Sequence, residues 1–390
     1  MAVRNPKRMS RNCVARRVVR TALAAALALA GGAWAFGQAE APLDLLGTAA
    51  PVTRNGARKL LVDVTRAGKR LVAVGDMGLI VRSDDGGASW VQSPSPSSVM
   101  LTAVAFADER DGWAVGHDGV ILSTQDGGAT WRRQFDGRQG DAQMRVAARA
   151  ALERLRAAPG ADAKRREQAE DAVAAAEQSI AGGPSRPLLG VRFFDAASGF
   201  AVGAFGQLFE TADGGQHWNY IGDRLDNGEG LHLNGITLIP DGGVLIAAEA
   251  GVVFRSNDRG RTWSRGETGY KGYLYGVLAL PDAVLLAYGF KGHAYRSVDG
   301  GRTWTAVRSG TDKSIVAGAL GRDQAPLLID EEGQLLTSSD HAGSFHPVGA
   351  RLSARRLSSF TLFGAQPPSV ATVGLGGIGI HPLALQGARP

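Results

Sequence analysis

A short motif built around Asp-Gly-Gly and closed by a tryptophan recurs at a nearly fixed spacing along this chain. Its copies end at Trp90, Trp131, Trp218, Trp263 and Trp304, and a weaker copy, SSDHAGSF, ends at Phe345. The steps between these aromatic residues are 41, 87, 45, 41 and 41 residues, and the second step equals one period plus an insertion of about 46 residues. A period near 41 residues predicts an array of repeated units that stack on one another.

The same strand pattern precedes each copy of the motif. In the second unit, apolar runs at 101–106 and 113–115 lead into a Gly-x-x-Gly hairpin at 116–119, and a fourth strand starts at Trp131. Short apolar runs separated by paired glycines predict antiparallel hairpins. A seventh unit at 357–383 keeps this pattern without the Asp motif.

Seven units of four strands predict an all-β chain folded as a seven-bladed β-propeller. Closing such a ring removes the sheet edges that would otherwise pair with other chains. We expect residues 41–60 or the C-terminus to close the ring by lending a strand to the last blade.

The first 39 residues have the composition of a secretory signal peptide. Seven basic residues precede an apolar run from Thr21 to Phe36, and small residues follow it. A basic start, a short apolar run and a small-residue end are typical of such peptides, and the run is shorter than the roughly 20 residues that span a bilayer. We therefore expect a signal peptide at 1–39, cleaved near residues 35–39, export to the periplasm, and a propeller at 40–390.

Removing this segment changes the charge balance of the protein. The chain has 43 basic and 37 acidic residues, and loss of the seven basic residues leaves 36 against 37, a net charge of −1. No basic excess remains for a nucleic acid, so we expect no such partner. The single cysteine, Cys13, precedes the apolar run, so we expect no lipoprotein-type cysteine, no disulfide and no cysteine-based metal site.

An insertion at 137–187 interrupts the repeats between the second and third units. It is rich in Ala, Arg and Glu, and its apolar residues recur at helical spacing. These are Met144, Ala147, Ala151 and Leu155 in the first half and Ala169, Val173, Ala176 and Ile180 in the second half. Pro159-Gly160 separates the halves, so we expect an antiparallel helical hairpin with these residues in its seam. It should lie beside the channel mouth, either as a charged decorative or partly disordered insertion or as a lever that docks a partner or caps the channel.

The repeated motif, Ser/Thr-x-Asp-x-Gly-x-Ser/Thr-Trp, resembles the Asp-box, also called the bacterial neuraminidase repeat. Glycine tolerates the positive φ of a tight turn, and Asp and Ser/Thr oxygens can accept backbone hydrogen bonds there. The resemblance implies that the motif joins the third and fourth strands at the outer rim of a blade. A structural role, with calcium or partner contact as the alternative, is expected for Asp85, Trp90, Asp126, Trp131, Asp213, Trp218, Asp258, Trp263, Asp299, Trp304 and Asp340.

The loops that precede the first strands should gather around one mouth of the channel. Aromatic and basic residues on rigid loops are common in binding sites, and 266–276 is the most aromatic of these loops. The residues expected to bind a partner here are Arg186, His232, Tyr270, Lys271, Tyr273, Tyr275, Lys313, Arg355 and Arg356. The alternative is that they are the ordinary polar loop residues of a propeller.

The chain has no motif that is typical of a catalytic or metal site. Its seven histidines occur without metal-ligand spacing, and neither a Gly-x-Ser-x-Gly motif nor a phosphate-binding loop occurs. We expect no catalytic residue, no metal and no cofactor.

Two families carry Asp-box turns. Sialidases and related glycosidases place them on six-bladed propellers, together with an arginine triad, a Tyr/Glu pair and an Arg-Ile-Pro signature. No Arg-Ile-Pro occurs in this chain. A glycan-binding protein or a sialidase-like glycoside hydrolase is therefore kept as the alternative hypothesis.

The repeats at 104–131 and 191–218 are more similar to those of the photosystem II stability/assembly factor family, V-x-F-x-D-x-x-x-G-W-x-V-G-x-x-G-x-I-x-x-T-x-D-G-G-x-T-W. The resemblance covers about residues 55–385, and the helical insertion and the missing last turn depart from it. It implies a non-enzymatic, exported scaffold that binds a membrane-protein complex, or an intermediate of its assembly, on the extracytoplasmic side. An arginine-rich patch is the contact surface in that family, and Arg186, Arg355 and Arg356 would stand in for it here. We expect a monomer.

Overall fold

The computed structural model describes residues 44–158, 160, 162–239, 241–321, 323–364 and 368–383. The expected signal peptide lies outside these residues. Within them, the chain forms seven antiparallel sheets and one helical insertion.

Each sheet is a meander whose strands pair in chain order. The first sheet contains β1 (Leu61–Ala67), β2 (Arg70–Gly75), β3 (Ile80–Ser83) and β4 (Val91–Ser93), and the second contains β5 (Leu101–Phe106), β6 (Gly112–Gly116), β7 (Ile121–Thr124) and β8 (Arg132–Phe135). The third contains β9 (Leu188–Phe193), β10 (Gly199–Gly203), β11 (Leu208–Thr211) and β12 (Asn219–Tyr220), and the fourth contains β13 (Leu233–Leu238), β14 (Val244–Ala248), β15 (Val252–Ser256) and β16 (Ser264–Glu267).

The remaining sheets follow the same order. The fifth contains β17 (Leu274–Ala279), β18 (Leu285–Gly289), β19 (Ala294–Ser297) and β20 (Thr305–Val307), and the sixth contains β21 (Ile315–Leu320), β22 (Pro326–Asp330), β23 (Leu335–Thr337) and β24 (His346–Val348). The seventh contains β25 (Leu357–Phe363), β26 (Ser369–Gly374) and β27 (Gly377–Pro382). Short 3-10 turns occur at Gly56–Arg58, Asp76–Gly78, His117–Gly119, Ala204–Gly206, Gly222–Arg224, Glu249–Gly251 and Phe290–Gly292.

The first strand of every sheet lies on the inside of a ring. β1 contacts β5, and the series continues through β9, β13, β17, β21 and β25 back to β1. Second strands are packed between neighbouring sheets, so that β14 is buried at all five positions, which explains its continuous apolar run. The chain is a seven-bladed β-propeller with a helical insertion, and the fold class predicted from the repeat period is confirmed.

The C-terminal alternative for ring closure falls on residues 384–390, outside the described residues, and closure by a strand from 41–60 is wrong for the part of that segment that the structure describes, 44–60. No segment there adds a fourth strand to the seventh sheet. The turn at Gly56–Arg58 instead packs beside β27, where Ala57 and Arg58 approach Gly377. The chain then runs directly into β1, which packs against β25 and β26. Within the described residues, blades one and seven are therefore joined by sheet packing.

Asp63 on β1 connects three blades at this junction. Its Oδ1 accepts hydrogen bonds from the Ser359 hydroxyl on β25 at 2.7 Å and from the Val64 N–H at 2.9 Å. Its Oδ2 accepts a hydrogen bond from the Val104 N–H on β5 at 2.9 Å. Burial raises the pKa of the Asp63 carboxyl group, and the Arg192 guanidinium opposes that shift.

Side chains of one blade also hold the Asp motif of the next. Arg70 Nη1 donates to the carbonyl oxygens of Asp126 and Gly127 at 3.1 and 3.0 Å, and Arg224 Nη1 donates to the carbonyl of Gly260 at 3.1 Å. The same relationship links Gln134 to Gly214, Arg255 to Gly300 and Arg296 to His341. The motifs therefore lie at the junctions between blades.

The insertion forms two antiparallel helices, α1 (Gly137–Ala157) and α2 (Ala163–Gly182), between β8 and β9. Asp136 and Gln139 form a capping box at the start of α1, which satisfies backbone N–H groups that a helix start leaves unpaired.

The predicted seam of this hairpin is wrong in part. Met144 and Ala176 are buried as expected. Ile180 on α2 is 39% exposed, whereas Leu152 on α1, which was not predicted in the seam, is buried. Leu152 lies two turns after Met144 on one face of α1. The predicted residues Ala147, Ala151 and Leu155 lie on an adjacent face, which borders the propeller.

Candidate partner-binding face

One face of the propeller is built from two kinds of loop that meet in every blade, and we call it the channel face. The hairpin between the second and third strands donates a backbone hydrogen bond to the residue just before the first strand, as from Glu249 to His232 at 3.1 Å and from Phe290 to Tyr273 at 3.0 Å. The same bond joins Asp76 to Leu60, His117 to Met100, Ala204 to Pro187, Glu331 to Ser314 and Leu375 to Arg356. Loops held by the sheet edges in this way form a rigid platform.

Five of these hairpins hold a non-glycine residue in the left-handed backbone region. These residues are Met77, Asp118, Phe205, Ala250 and Lys291, with φ between 52° and 56°. The side chains of Met77 and Phe205 are more than half exposed. Left-handed backbone is unfavourable for residues with a Cβ atom and is concentrated at functional sites. Six other such residues lie at the opposite end of the strands, so it is the rigid loops with exposed Met77 and Phe205 side chains that make the channel face the candidate functional surface.

The loop before β17 carries the aromatic residues predicted from the sequence. Tyr270 stacks on His293 with ring centroids 4.1 Å apart, and Tyr295 lies beside them at 5.9 Å from Tyr270. Lys271 is exposed and Tyr273 is 49% exposed. Tyr270 is thus engaged within the protein, whereas Lys271 and Tyr273 face solvent.

Tyr275 lies next to the acidic hairpin of the sixth blade. Burial raises the pKa of its hydroxyl, and the Glu331 carboxylate adds to this effect. Glu331 also pairs with Arg356 at 3.2 Å. Residues of blades five, six and seven therefore meet here.

The second acidic residue of that hairpin, Glu332, pairs with Lys313 at 3.5 Å and with Arg351 at 2.5 Å. The carboxylates of Asp312 and Glu332 raise the pKa of Lys313. Arg355 instead packs on Gly376, and it forms no ion pair with any residue that the structure describes. Of the basic residues predicted at blades five to seven, Lys271 and Arg355 form no ion pair with a described residue, whereas Lys313 and Arg356 are paired.

Arg186 and His232 form a separate group near the insertion. Arg186 lies 3.9 Å from Asp141 of α1 and donates to the carbonyl of Ala175 in α2 at 2.8 Å. His232 Nδ1 lies 2.9 Å from a carboxylate oxygen of Glu249. The structure thus divides the nine predicted residues into one group at blades five to seven and a second group at blades three and four. Arg186 is far from Arg355 in the ring and does not form a single basic patch with it.

The Asp motifs lie between the third and fourth strands, at the opposite end of those strands from the channel face. In the second blade, Asp126 Oδ1 accepts hydrogen bonds from Thr124 Oγ1 at 2.7 Å and from Thr130 N at 2.9 Å, and its Oδ2 accepts one from Thr130 Oγ1 at 2.6 Å. The Trp131 indole N–H donates to the carbonyl of Gly128 at 3.1 Å. Equivalent bonds to the motif aspartate occur around Asp85, Asp213, Asp258, Asp299 and Asp340.

The sixth Asp motif keeps its geometry although its sequence is degenerate. Asp340 Oδ1 accepts from Ser338 Oγ and Ser344 N at 2.6 and 2.9 Å. His341 and Ala342 take the left-handed conformations, with φ of 54° and 62°, that glycines take in other copies. The hydrogen-bonded Asp and Ser pair is therefore enough to form this turn without glycine.

Sequence reasoning missed Phe205, which is 53% exposed at the hairpin of blade three. Its ring lies 4.6 Å from the His232 ring and 5.5 Å from the Arg186 guanidinium. An apolar residue inside a solvent-facing Gly-x-x-Gly hairpin was the signal available in the sequence, because such a position offers no burial.

Within the described residues, no helix has the length and apolar character needed to cross a bilayer. Nowhere in the described ranges do three His, Cys, Asp or Glu side chains group so as to hold a metal ion.

Solved structures support the propeller fold. One, titled YCF48 bound to D1 peptide, has 16% identity and a TM-score of 0.57, over 84% of this chain and 94% of that chain. YCF48 from Cyanidioschyzon merolae has 15% identity and a TM-score of 0.56, over 86% and 97%. The WD40 propeller of Doa1 has 9% identity and a TM-score of 0.54, over 86% and 96%.

Sequence comparison identifies the family. The photosystem II assembly lipoprotein Ycf48 of Synechococcus sp. (strain CC9902) is 38% identical over 77 residues, which are 20% of this chain and 23% of that relative. The matched region thus covers less than a quarter of the length of that relative. The family model described as Photosynthesis system II assembly factor YCF48 matches residues 57–134 and 175–368. Because this match includes most of the propeller, the chain belongs to the Photosynthesis system II assembly factor YCF48 family.

Proposed function

We propose that this protein is an exported, non-catalytic assembly or stability factor that binds a membrane-protein subunit of photosystem II, or an intermediate of its assembly, on the extracytoplasmic side. The observation that carries this proposal is the family match over both halves of the propeller. The related structure that contains a D1 peptide suggests a D1-type subunit as the client. The protein would act as a monomer.

The contact surface in this proposal is the channel face at blades five to seven. Lys271 and Tyr273 are exposed there, and Arg355 has no ion-pair partner among the described residues. Exposed tyrosine and arginine side chains on rigid loops contribute strongly to protein interfaces. The basic residues that pair with Glu331 and Glu332 would then hold the loops in position, and their charges would not be available to the partner.

Export is supported by the basic and apolar pattern of residues 1–39. The Synechococcus relative is described as a lipoprotein, which is consistent with an exported family. A scaffold of this kind needs no catalytic group, so its activity would depend on contact area and charge alone.

Co-purification from solubilised membranes that contain photosystem II intermediates tests this function. The double variant Lys271→Glu/Tyr273→Ser should lose most of the photosystem II subunits that the wild type retains. Its matched control is Arg261→Glu/Val298→Ser, in which both substituted residues are exposed at variable positions of Asp motifs, away from the channel face. If neither the wild type nor the control enriches a photosystem II subunit, the proposal is wrong. Release of sugar from sialylated glycans by the wild type would favour the glycosidase alternative.

A further inference from the structure

A groove of about 730 Å³ separates the helical hairpin from the third blade and the loop that follows it. One wall is formed by Ala147, Ala151 and Leu155 of α1, and the other includes Phe205 and Leu225. The α1 wall is largely apolar, the loop wall combines apolar with acidic residues, and the groove is open to solvent at one side. A concave apolar site of this volume is of the size that binds ligands.

Polar contacts beside the groove hold its walls in place. Gln143 of α1 donates to the carbonyl of Trp218 at 2.8 Å and accepts from the N–H of Tyr220 at 2.7 Å. Within the hairpin, Ser179 donates to Asp141 at 2.7 Å. These bonds fix α1 on β12 and α2 on α1. The groove is therefore preformed, which lowers the entropy cost of binding.

Phe205 marks the groove as a binding surface. Its backbone is held at φ 56°, and its ring is half exposed between Arg186 and His232. A large apolar side chain kept exposed by an unfavourable backbone conformation indicates a contact that burial would complete.

The charges at the rim restrict the occupant. Arg154 and Arg165 on the helical wall are exposed and have no hydrogen bond or ion pair with any described residue. The loop wall carries Asp223, Asp226 and Glu229, of which Glu229 pairs with Arg265 at 2.9 Å, and α2 adds Asp171. A carboxylate in the groove would therefore be attracted towards Arg154 and Arg165 and repelled from the loop wall.

We propose that this groove binds a short apolar peptide segment that carries at least one acidic side chain, with the carboxylate directed to Arg154 and Arg165. The proposal rests on the proposed function, because the peptide would be a segment of the membrane-protein client. The family model leaves residues 135–174 unmatched, and these include all of α1. The groove is therefore a contact site that the insertion adds to the propeller of the family.

Selection from a phage-displayed library of 12-residue peptides on the full protein tests this proposal even before the client is identified. The best peptides, made synthetically and labelled, are then titrated by fluorescence anisotropy. We expect apolar peptides with an acidic residue, whose affinity falls at least tenfold in Ala151→Trp, which fills the groove. Ala150→Trp is the matched control, because Ala150 is exposed and lies outside the groove lining.

A second variant guards against disruption of the helices by tryptophan. Phe205→Asn removes the ring and keeps a residue type that tolerates left-handed backbone, and it should also weaken binding at least tenfold. Peptides that bind equally well to Ala151→Trp and Phe205→Asn would overturn the groove proposal, as would selection of no peptide. Dimerisation of the wild type that Ala151→Trp abolishes would also overturn it in favour of a second copy. In each of these cases, the co-purification experiment still decides the proposed function separately.

Discussion

Gln143 on α1 pairs with the outer strand of the third blade as a neighbouring strand would. Its side-chain amide accepts a hydrogen bond from the N–H of Tyr220 at 2.7 Å, and it donates one to the carbonyl of Trp218 at 2.8 Å. These are backbone groups of an outer strand, which would otherwise offer pairing sites to other chains. Gln143 thus ties α1 to the third blade.

The first prediction concerns this contact. Gln143→Leu should lower the free energy of unfolding of the docked helix by about 1–3 kcal/mol, because two backbone groups lose their partner. Hydrogen exchange at the Tyr220 amide should accelerate by about tenfold or more. Gln178→Leu on the exposed face of α2 is the matched control. Unchanged protection of Tyr220 in Gln143→Leu would show that α1 is held by other contacts.

The second prediction concerns closure of the ring. Asp63→Ala removes the acceptor for Ser359, Val64 and Val104, and it should lower the stability measured by urea unfolding by about 2–4 kcal/mol at neutral pH. Ser359→Ala removes one hydrogen bond and should cost about 1–2 kcal/mol. A loss in Asp63→Ala no larger than that in Ser359→Ala would show that the carboxyl group does not link the three blades.

The contribution of Asp63 to the stability of the protein changes with pH in a defined direction. Burial raises the pKa of this carboxyl group above its ordinary value of 3.8. A raised pKa of an acid in the folded state stabilises the protein at low pH, and that contribution is lost as the pH rises through the folded-state pKa. The stability difference between the wild type and Asp63→Ala should therefore shrink as the pH rises from about 4 to 7. Urea unfolding at both pH values measures it, and an increase would contradict the assignment.

Much of the fold could be predicted because the motif and its spacing are local properties of the sequence. The period of 41 residues placed every Asp motif between the third and fourth strands of its sheet. Ring closure was not predictable in this way, because it depends on contacts between residues as distant as Asp63 and Ser359. The burial of Leu152 and the exposure of Ile180 were not predictable either, because they depend on how the two helices pack.

The candidate site was predicted less completely than the fold. Loop position placed the nine residues on one face, but charge pairing decided which of them stay available. Arg186 is bound to α1 and α2, and Arg356 is paired with Glu331. Such partners lie far away in the sequence, so composition alone could not separate Arg355 from Arg356.

The third prediction concerns the Asp motifs. Burial opposes ionisation of Asp126, but hydrogen bonds from Thr130 and Thr124 outweigh it and lower its pKa to about 2. A lowered folded-state pKa stabilises the protein above pH 3.8, and this contribution is lost as the pH falls towards 2. Asp126→Ala should reduce stability by about 1–2 kcal/mol at pH 7 and flatten the acid-side decline, measured by thermal unfolding.

Asp126→Asn is the matched variant for this turn. The amide oxygen can still accept the bonds from Thr124 Oγ1 and Thr130 N, so the loss at pH 7 should be smaller than in Asp126→Ala. If Asp126→Ala kept its thermal stability but lost client binding, the motif would be a contact site and not a structural turn.

The fourth prediction concerns the strained hairpins of the channel face. Met77 is more than half exposed and has φ 52° and ψ 38°, a conformation that glycine adopts without steric cost. Met77→Gly should therefore raise the free energy of unfolding by roughly 0.5–1 kcal/mol, despite the greater freedom of glycine in the unfolded chain. Met77→Ala removes nearly the same side chain but keeps Cβ, so it should give no such gain. Equal stability of the two variants in urea unfolding would show that this hairpin stores no strain.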